Sequence, residues 1–459
     1  MSAHVHDRAA RLTRGAFLRG VGGATVAAVL GGATPPFAFA GPLRFAGREL
    51  KGELSILQWN HVVPAYDTWF DGTWAKRWGE QNDVLVSVDH VDHDRLPAMV
   101  AAEAKARKGH DLVGFLSPPL AHADALIDHG SIVREIERSV GPYGEVGRRS
   151  TYNPRTERYL GVCDGYAPTP AIWRHDLWSS VGASPATWEH VRDAAPRLAA
   201  LGHPLGIGQS NDLESSLALL SYLQCFGAFV QDEADRPALG GRRAVEAVQL
   251  MAEIYRTGED RAVLSWSAAS NNQHLLSGRG SLILNAISAI RTAESIGLPF
   301  APQLWLWPIP GGPLGRAAHP QHTSVYAIWT FAKNVEAAER FVADLCIGYR
   351  EATLASRLFT YPAFPGAVPP AELYAAAAAD ATLPKGKYSI LTTVASRHTR
   401  NVGYPGTTNV AVAEMLRRSL IPRMFSQVST GRLTAAESVR ATAWELKQIW
   451  RKARAAGTL

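Results

Sequence analysis

Trp59, Asn60 and His61 form a run of side chains suited to holding a ligand. They follow an apolar stretch that begins at Leu54 and is predicted to be a buried strand. Because ligands of open α/β sheets lie outside the carboxyl ends of strands, we expect all three residues to contact a ligand. An indole offers a flat apolar face, whereas amide and imidazole groups exchange hydrogen bonds with hydroxyls. The run therefore predicts recognition of a hydroxylated ring; a core tryptophan followed by a solvated loop is the alternative.

Asp164 and Tyr166 are a second pair of candidate ligand contacts, placed just before a predicted hinge that contains Pro168 and Pro170. Gly165 lies between them, and glycine permits a close approach of the backbone. A carboxylate in a closed cleft would accept strong hydrogen bonds from two hydroxyls, and the phenol ring would stack on an apolar face. Packing within the hinge is the alternative for both residues.

Further candidate contacts lie beside predicted strands, near the hinges or in turns: Asp111, Asn211, Trp266, Asn272, Asn285, Ser324 and Tyr404. Three of them have simple structural alternatives. Asp111 begins a strand and supports structure as readily as it binds. Asn211 belongs to a potential helix cap, and the ring of Tyr404 would also fill a loop.

Signatures of catalysis and metal binding are missing from the sequence. It contains no G-x-S-x-G, H-E-x-x-H or P-loop pattern, and the histidines and aspartates at 90–94 match no standard zinc or calcium spacing. Cys163, Cys225 and Cys346 lie far apart, and burial as small side chains is expected for at least one of them. We therefore predict no cofactor, no metal and no enzyme activity. Paired carboxylates of a glycoside hydrolase stay an open alternative, because 41 acidic residues offer many pairs.

Alternating apolar segments predict the scaffold that must position these residues. Strands are expected at 54–59, 84–88, 111–116, 205–208, 280–285 and 304–309, and helices over 66–78, 96–108, 244–255 and 335–345. A capping box from Thr434 to Glu437 begins the last helix. This alternation predicts an α/β protein with a mainly parallel sheet. Because no flexible linker interrupts the chain, we expect lobes joined by several crossings.

The first forty residues predict an export signal. Four arginines precede an uncharged run of small and apolar residues at 20–32, and Ala38-Phe39-Ala40 forms an A-x-A cleavage pattern. The apolar run is too short for a membrane span. The segment from Thr13 to Arg19 resembles a twin-arginine motif in which Gly15 replaces the second arginine, so the general secretory route stays open. We expect the protein at the periplasmic or extracellular face of the cytoplasmic membrane.

The length and net charge of the chain restrict the possible functions further. The first forty residues carry half of the net charge of +6, so the remaining chain is close to neutral for its size. No basic run indicates nucleic-acid binding. The chain is long enough for two lobes with separate cores. Its 13 tryptophans will mostly be buried, and an excess of them also suits stacking on sugar rings.

Four segments resemble motifs of extracellular solute-binding proteins of carbohydrate ABC transporters, of the family 1 sugar-binding type. The first is the opening strand at 54–61 with Gly109-His110-Asp111-Leu112-Val113. The second, Ala186-Thr187-Trp188-Glu189-His190-Val191, is similar to the family's P-x-T-W-E-E helix start. The third and fourth, at 276–285 and 307–312, are similar to its F-x-x-G-K-A-A-M-x-x-N strand and its P-x-P-x-G return. Ser277 departs from the family's usual aromatic residue, and the lipobox is missing.

The resemblance implies a two-lobed α/β periplasmic-binding-protein type II fold, with a ligand cleft between lobes that are joined by hinge strands. The expected division of the chain is an export signal at 1–40, an N-terminal lobe of 41–167 plus 306–350, and a C-terminal lobe of 168–305 plus 351–459. It implies a monomer that binds a carbohydrate and delivers it to ABC transporter permease subunits. The alternatives are a secreted carbohydrate-active enzyme and a binding protein for a non-sugar solute such as a polyol phosphate.

Overall fold

The structure, a computed structural model, describes residues 50–459, so the predicted export signal lies outside the described residues. The strands within that range are β1 Gly52–Trp59, β2 Val84–Val91, β3 Leu112–Phe115, β4 Tyr152–Asn153, β5 Arg158–Tyr159, β6 Val162–Tyr166, β7 Ala171–Arg174, β8 Leu282–Leu284, β9 Leu304–Trp307, β10 Thr323–Ile328 and β11 Tyr361–Pro362.

The α-helices alternate with these strands and then close the chain. They are α1 Pro64–Trp69, α2 Lys76–Asn82, α3 Leu96–Ala106, α4 Gly130–Val140, α5 Glu145–Thr151, α6 His175–Ser180, α7 Trp188–Ala200, α8 Leu213–Cys225, α9 Gly241–Gly258, α10 Ser270–Leu276, α11 Ser288–Ser295, α12 Val335–Ile347, α13 Arg350–Ala355, α14 Pro370–Ala379, α15 Ile390–Thr393, α16 Val410–Arg417, α17 Leu420–Ser429 and α18 Ala435–Ala455. π-helical turns follow α1 at Phe70–Ala75 and α15 at Val394–His398.

The larger sheet has six strands in the order β11-β6-β10-β3-β1-β2. β1 is parallel to both β2 and β3, while β10 is antiparallel to β3 and β6. Leu54, Ile56 and Leu57 of β1 are fully buried, as expected for a sheet whose faces are both covered by helices. The apolar alternation of the sequence predicts these first three strands correctly.

One edge of this sheet gathers the carboxyl ends of β1, β3 and β6 together with the beginning of β10. Thr323 donates its backbone N–H to the Leu116 carbonyl at 3.2 Å, directly after the end of β3. Tyr166 at the end of β6 pairs with Thr323. The chain leaves this edge through residues 167–170 and returns to it through 308–322. The carboxyl edge is therefore where the two halves of the molecule meet.

The second sheet has three antiparallel strands in the order β8-β7-β9. Its core combines fully buried aromatic residues, including Trp188, Tyr222 and Phe425, with the apolar faces of α7 to α9 and α16 to α18. Thr434 accepts from the Glu437 backbone N–H, and Glu437 accepts from the Thr434 backbone N–H. This confirms the capping box predicted at the start of the last helix.

The segment at 358–395 contacts both sheets, whereas the expected division of the lobes places all of 351–459 in the second lobe. β11 pairs with β6 in the six-stranded sheet, and Phe364 stacks on Tyr143 with 4.2 Å between the ring centroids. Buried charges attach the segment to α11 as well. Arg291 contacts Asp380 at 2.8 Å, and Lys387 contacts Glu294 at 2.6 Å. The sequence at 350 gives no boundary signal because burial of these long-range partners, and not local propensity, decides where the segment packs.

Most other predicted elements are confirmed with shifted ends, but the strand predicted at 205–208 is wrong. Leu205 makes an isolated bridge to Glu259, and Gly206 makes one to Ile283. The short run therefore lies beside β8 without forming a regular ladder. The three cysteines are buried and free in the described chain, which confirms their role as small apolar side chains.

Candidate functional site

A cavity opens at the carboxyl edge of the larger sheet and encloses about 390 Å³ of empty space, including space open to solvent. The end of β1 lines one side of the cavity, and β6 and β10 line the opposite side. Tyr349, just before α13, and Thr360, after that helix, line the back. The lining residues are Gln58, Trp59, His61, Tyr66, Gly114, Asp164, His322, Ser324, Tyr326, Tyr349 and Thr360. We call this the β1 cavity. It brings together four predicted contacts: Trp59, His61, Asp164 and Ser324.

Aromatic rings surround the indole of Trp59 at this cavity. The rings of His61 and His322 each lie 5.3 Å from it, centroid to centroid, and the ring of His93 lies at 6.2 Å. His322 in turn stacks on Phe359 at 5.3 Å. The partly buried indole is therefore held by edge contacts and tilted contacts with its neighbours.

His61 is neutral. Burial, helped by nearby His322, lowers its pKa from 6.5 to about 3. Its Nδ1 atom lies 2.9 Å from the Val63 backbone nitrogen and 3.2 Å from the Val63 carbonyl oxygen; the shorter contact favours Nδ1 as the acceptor and places the proton of the neutral ring on Nε2. Stacking on Tyr66 at 4.4 Å fixes the ring plane. His61 thus presents an Nε2–H donor at the cavity.

Asp164 is 1% exposed, and burial raises its pKa from 3.8 to about 6. The hydroxyls of Ser324 and Tyr349 partly offset this effect by favouring the charged form. Its Oδ1 atom is buried without a hydrogen-bond partner among residues 50–459. The site therefore contains a carboxylate whose burial costs free energy and whose Oδ1 atom is available as an acceptor.

Gly165 shapes the wall beside this carboxylate. A Cβ at that position would lie 1.9 Å from the Tyr349 hydroxyl and 2.9 Å from the Tyr361 carbonyl. Any other residue would displace Tyr349, whose hydroxyl acts on Asp164. The glycine is thus needed for close packing, as the sequence predicts for this position.

A polar cluster in the second lobe lies where β8 ends beside the first crossing. Asn285 donates through Nδ2 to the Oδ1 atoms of Asn271 at 3.2 Å and Asn272 at 2.7 Å. Asn272 donates to the Ser288 hydroxyl at 3.1 Å. The backbone N–H of Asn285 donates to the Pro170 carbonyl in the crossing. The predicted contacts Asn272 and Asn285 therefore support each other.

A smaller cavity of about 280 Å³ lies next to this cluster and is lined by Trp266, Asn271 and Glu214, among others. Burial raises the pKa of Glu214 to about 7, against the opposing effect of a hydrogen bond from Gln321. Gln321 belongs to the return crossing, so this carboxyl group links the second lobe to the chain that enters β10. Trp266 is the predicted contact that lines this cavity.

Five other predicted contacts lie outside both cavities and outside the asparagine cluster. Asp111 accepts from the Ser55 backbone and hydroxyl at 2.9 and 2.7 Å and from backbone N–H groups at 333 and 334, which occupies its oxygens. It precedes β3, at the opposite edge of the sheet. Tyr166 donates to the Ala395 carbonyl at 3.1 Å. Asn60 and Asn211 are exposed, and Asn60 donates to Asp92. The ring of Tyr404 packs edge-on against Phe229.

Sequence reasoning missed Gln58, Tyr66, His322 and Glu214. Gln58 carried a usable signal, because a polar residue inside an otherwise apolar strand needs a specific partner. Glu214 lies two residues after the cap residue Asp212. An acidic residue there also fits an ordinary helix start, so the sequence does not single it out as a lining residue. His322 and Tyr66 become lining residues only through contacts between distant parts of the chain, which no local pattern indicates.

Among residues 50–459, no group of three or more His, Cys, Asp or Glu side chains is arranged to hold a metal ion. No helix of the same range is both long and apolar enough to cross a bilayer.

Two sheets joined by crossings, each with a cavity beside it, define a two-lobed α/β fold of the periplasmic-binding-protein type II class. The sequence profile of the bacterial extracellular solute-binding proteins matches residues 73–382, which is more than half of the chain. The chain belongs to this family. The predicted family resemblance and fold class are thereby confirmed.

Solved structures with the same fold share little sequence with this chain. A protein described as an oligosaccharide periplasmic-binding protein from Synechococcus sp. MITs9220 has a TM-score of 0.71 at 17% identity, over 88% of this chain and 99% of that one. A sugar transporter protein from Arthrobacter chlorophenolicus A6 with bound laminaribiose gives 0.67 at 16%, over 86% and 99%. MalE3 from T. maritima with maltose gives 0.68 at 18%, over 87% and 100%. No curated protein sequence matches the chain.

Proposed function

We propose that this protein binds a carbohydrate outside the cytoplasmic membrane and delivers it to the permease of an ABC transporter. The observation that carries the proposal is the β1 cavity, in which the indole of Trp59 adjoins buried polar groups at the edge where the lobes meet. A flat apolar face beside hydrogen-bonding groups complements a sugar ring, which has apolar C–H faces and a polar rim.

The first lobe would hold most of the ligand, through Trp59, His61, Asp164 and Ser324. The second lobe would cover it with the asparagine cluster and Trp266. The two sheets are connected through the 167–170 and 308–322 crossings, so closure would be a hinge motion about these segments. The permease would recognise the closed form, and the protein would act as a monomer.

The laminaribiose and maltose bound in two structures of this fold support a carbohydrate as the ligand. A micromolar dissociation constant corresponds to about −8 kcal/mol. A few hydrogen bonds of about 1 kcal/mol each, together with burial of one sugar face, reach that value if the lobes are largely preformed.

Thermal-shift measurements with a panel of mono-, di- and oligosaccharides, polyols and their phosphates test the proposal. A ligand at 100 times its dissociation constant stabilises the native state by about 2.7 kcal/mol and should raise the melting temperature clearly. We expect at least one sugar or polyol to do so and to be recovered unchanged afterwards. A panel in which no sugar or polyol raises the melting temperature would contradict the proposal, and consumption of a sugar would indicate an enzyme.

A further inference from the structure

Three polar atoms in the β1 cavity are buried without a hydrogen-bond partner among residues 50–459: Gln58 Nε2, His61 Nε2 and Asp164 Oδ1. Their residues are 4%, 7% and 1% exposed. Buried polar groups in native proteins are nearly always paired, by protein or by ordered water, so three such atoms converging on one cavity are the groups that a ligand displacing water there would have to pair. Each residue lines the cavity.

The donor and acceptor roles of these atoms are defined by their other contacts. Gln58 accepts through Oε1 from the Tyr326 hydroxyl at 2.7 Å, which leaves its Nε2 hydrogens free to donate. His61 accepts through Nδ1 from Val63, which leaves Nε2–H as a donor. Asp164 Oδ1 belongs to a carboxylate and is an acceptor. The cavity therefore offers two neutral donors and one anionic acceptor.

This pattern discriminates among the groups that a sugar can carry. A hydroxyl donates one hydrogen bond and accepts two, so hydroxyl groups satisfy all three atoms. A phosphate or carboxylate has only acceptors and would meet the Asp164 carboxylate with like charge. An ammonium group has only donors and would leave both Gln58 Nε2–H and His61 Nε2–H unsatisfied. No Lys or Arg of the described chain lines the cavity to compensate an anion.

The geometry points to the β1 cavity as a hydroxyl-reading subsite that admits an uncharged sugar or polyol end group and rejects phosphorylated, carboxylated and aminated ones. This inference rests on the proposed function and narrows its ligand class. Gln58, His61 and Asp164 are the residues that determine the specificity. The selection works through pairing of all three atoms, because any group that leaves one of them unpaired forfeits part of its binding free energy.

Matched ligands test this selection directly. Glucose and galactose, each with its 2-amino, uronate and 6-phosphate derivatives, are titrated calorimetrically into the purified protein, with maltose as a larger neutral sugar. We expect the neutral sugar that binds best to exceed its charged derivatives by at least 100-fold in affinity. A charged derivative that binds as well as its neutral parent would overturn the subsite while leaving the proposed transport function intact.

Asp164→Asn provides a second measurement that needs no ligand. If the carboxylate is reserved for a ligand, its neutral replacement should raise the melting temperature of the unliganded protein at pH 7 and lower the affinity for the neutral sugar at least 30-fold. Asp111→Asn is the matched control, because that buried carboxylate is already hydrogen-bonded. A lower melting temperature for Asp164→Asn, or unchanged sugar affinity, would overturn the inference. Failure of every sugar and polyol to bind would instead reject the proposed function and the subsite with it.

Discussion

Asp111 and Asp164 are two buried aspartates of the same sheet, and their environments are opposite. Asp111 lies before β3, where hydrogen bonds from Ser55 and from the backbone at 333 and 334 outweigh the effect of burial and lower its pKa. Asp164 lies within β6 towards the carboxyl edge, where burial dominates and raises its pKa to about 6. The Asp111 carboxylate is hydrogen-bonded through both oxygens, whereas the Asp164 carboxylate keeps one buried oxygen without a partner.

The difference separates a carboxylate that is satisfied within the fold from one that the proposed function assigns to the ligand. At the amino edge, chain segments more than 200 residues apart converge on one carboxylate and satisfy it. Towards the carboxyl edge, Asp164 keeps one buried oxygen without a partner, and under the proposed function a ligand would pair it. Buried groups with perturbed pKa values cluster at functional sites for this reason.

Replacing Asp111 should produce the largest loss of stability. Asp111→Asn removes the charge that several donors share and turns an N–H towards some of them, so we expect destabilisation by about 3 kcal/mol. Urea denaturation at pH 7 measures it. The sugar affinity of the folded protein should stay unchanged. A loss of affinity without a loss of stability would contradict the structural role assigned to Asp111.

Replacing Asp164 should have the opposite sign. The raised pKa means that ionisation in the folded state is unfavourable by about two pKa units, or about 3 kcal/mol at pH 7. Asp164→Asn should recover part of this free energy, and we expect stabilisation of about 1 to 3 kcal/mol in urea denaturation. A destabilised variant would place Asp164 in the same structural class as Asp111.

The pH dependence of stability sharpens the contrast. For Asp164 the unfolded chain loses its proton near pH 3.8 and the folded protein near pH 6, so this residue makes stability fall as pH rises through that window. For Asp111 the folded pKa is the lower one, and its contribution is lost as pH falls below about 4. We expect the stability difference between Asp164→Asn and wild type to grow from pH 4 to 6 and then level off.

Comparison of the variant with wild type isolates Asp164 from its neighbours. His61 and His322 stay neutral in this window because burial lowers both pKa values to about 3, and burial raises the pKa values of Tyr66 and Tyr349. Asp67, whose pKa is also raised to about 6, is present in both proteins and cancels. A difference that does not change with pH would contradict the assignment of the raised pKa to Asp164.

The smallest expected effect concerns the aromatic face at the carboxyl edge. Trp59→Ala should weaken sugar binding about 10-fold, since loss of a stacking face is worth roughly 1 kcal/mol or slightly more. Calorimetric titration measures the change. Trp444→Ala, at a tryptophan 63% exposed on α18, is the matched control and should leave affinity unchanged. Equal affinities for Trp59→Ala and wild type would remove Trp59 from the site.

The sequence predicts much of the fold because apolar alternation is a local property. The strands at Leu54, Val84 and Leu112 and the capped final helix all follow from it. The carboxyl-end rule likewise predicts that Trp59 and His61 lie at the edge where the β1 cavity forms. The placement of 358–395 does not follow, because it depends on packing against β6 and α11.

The roles of the two aspartates also lie beyond local sequence. Asp111 and Asp164 both occur in apolar strand contexts, and nothing near either residue shows which is hydrogen-bonded. The donors that satisfy Asp111 include the backbone at 333 and 334, and the hydroxyl that acts on Asp164 comes from Tyr349. Only the assembled fold distinguishes them.

The tight fit around Gly165 has a consequence for how this protein can diversify. Gly165, Tyr349 and Tyr361 interlock so closely that no side chain larger than hydrogen fits at position 165. Position 165 is therefore closed to gradual mutation, whereas lining residues such as Trp59 and His322 can change one at a time. Descendants of this chain would acquire new ligands by altering such lining residues, and the packing around position 165 would pass on unaltered.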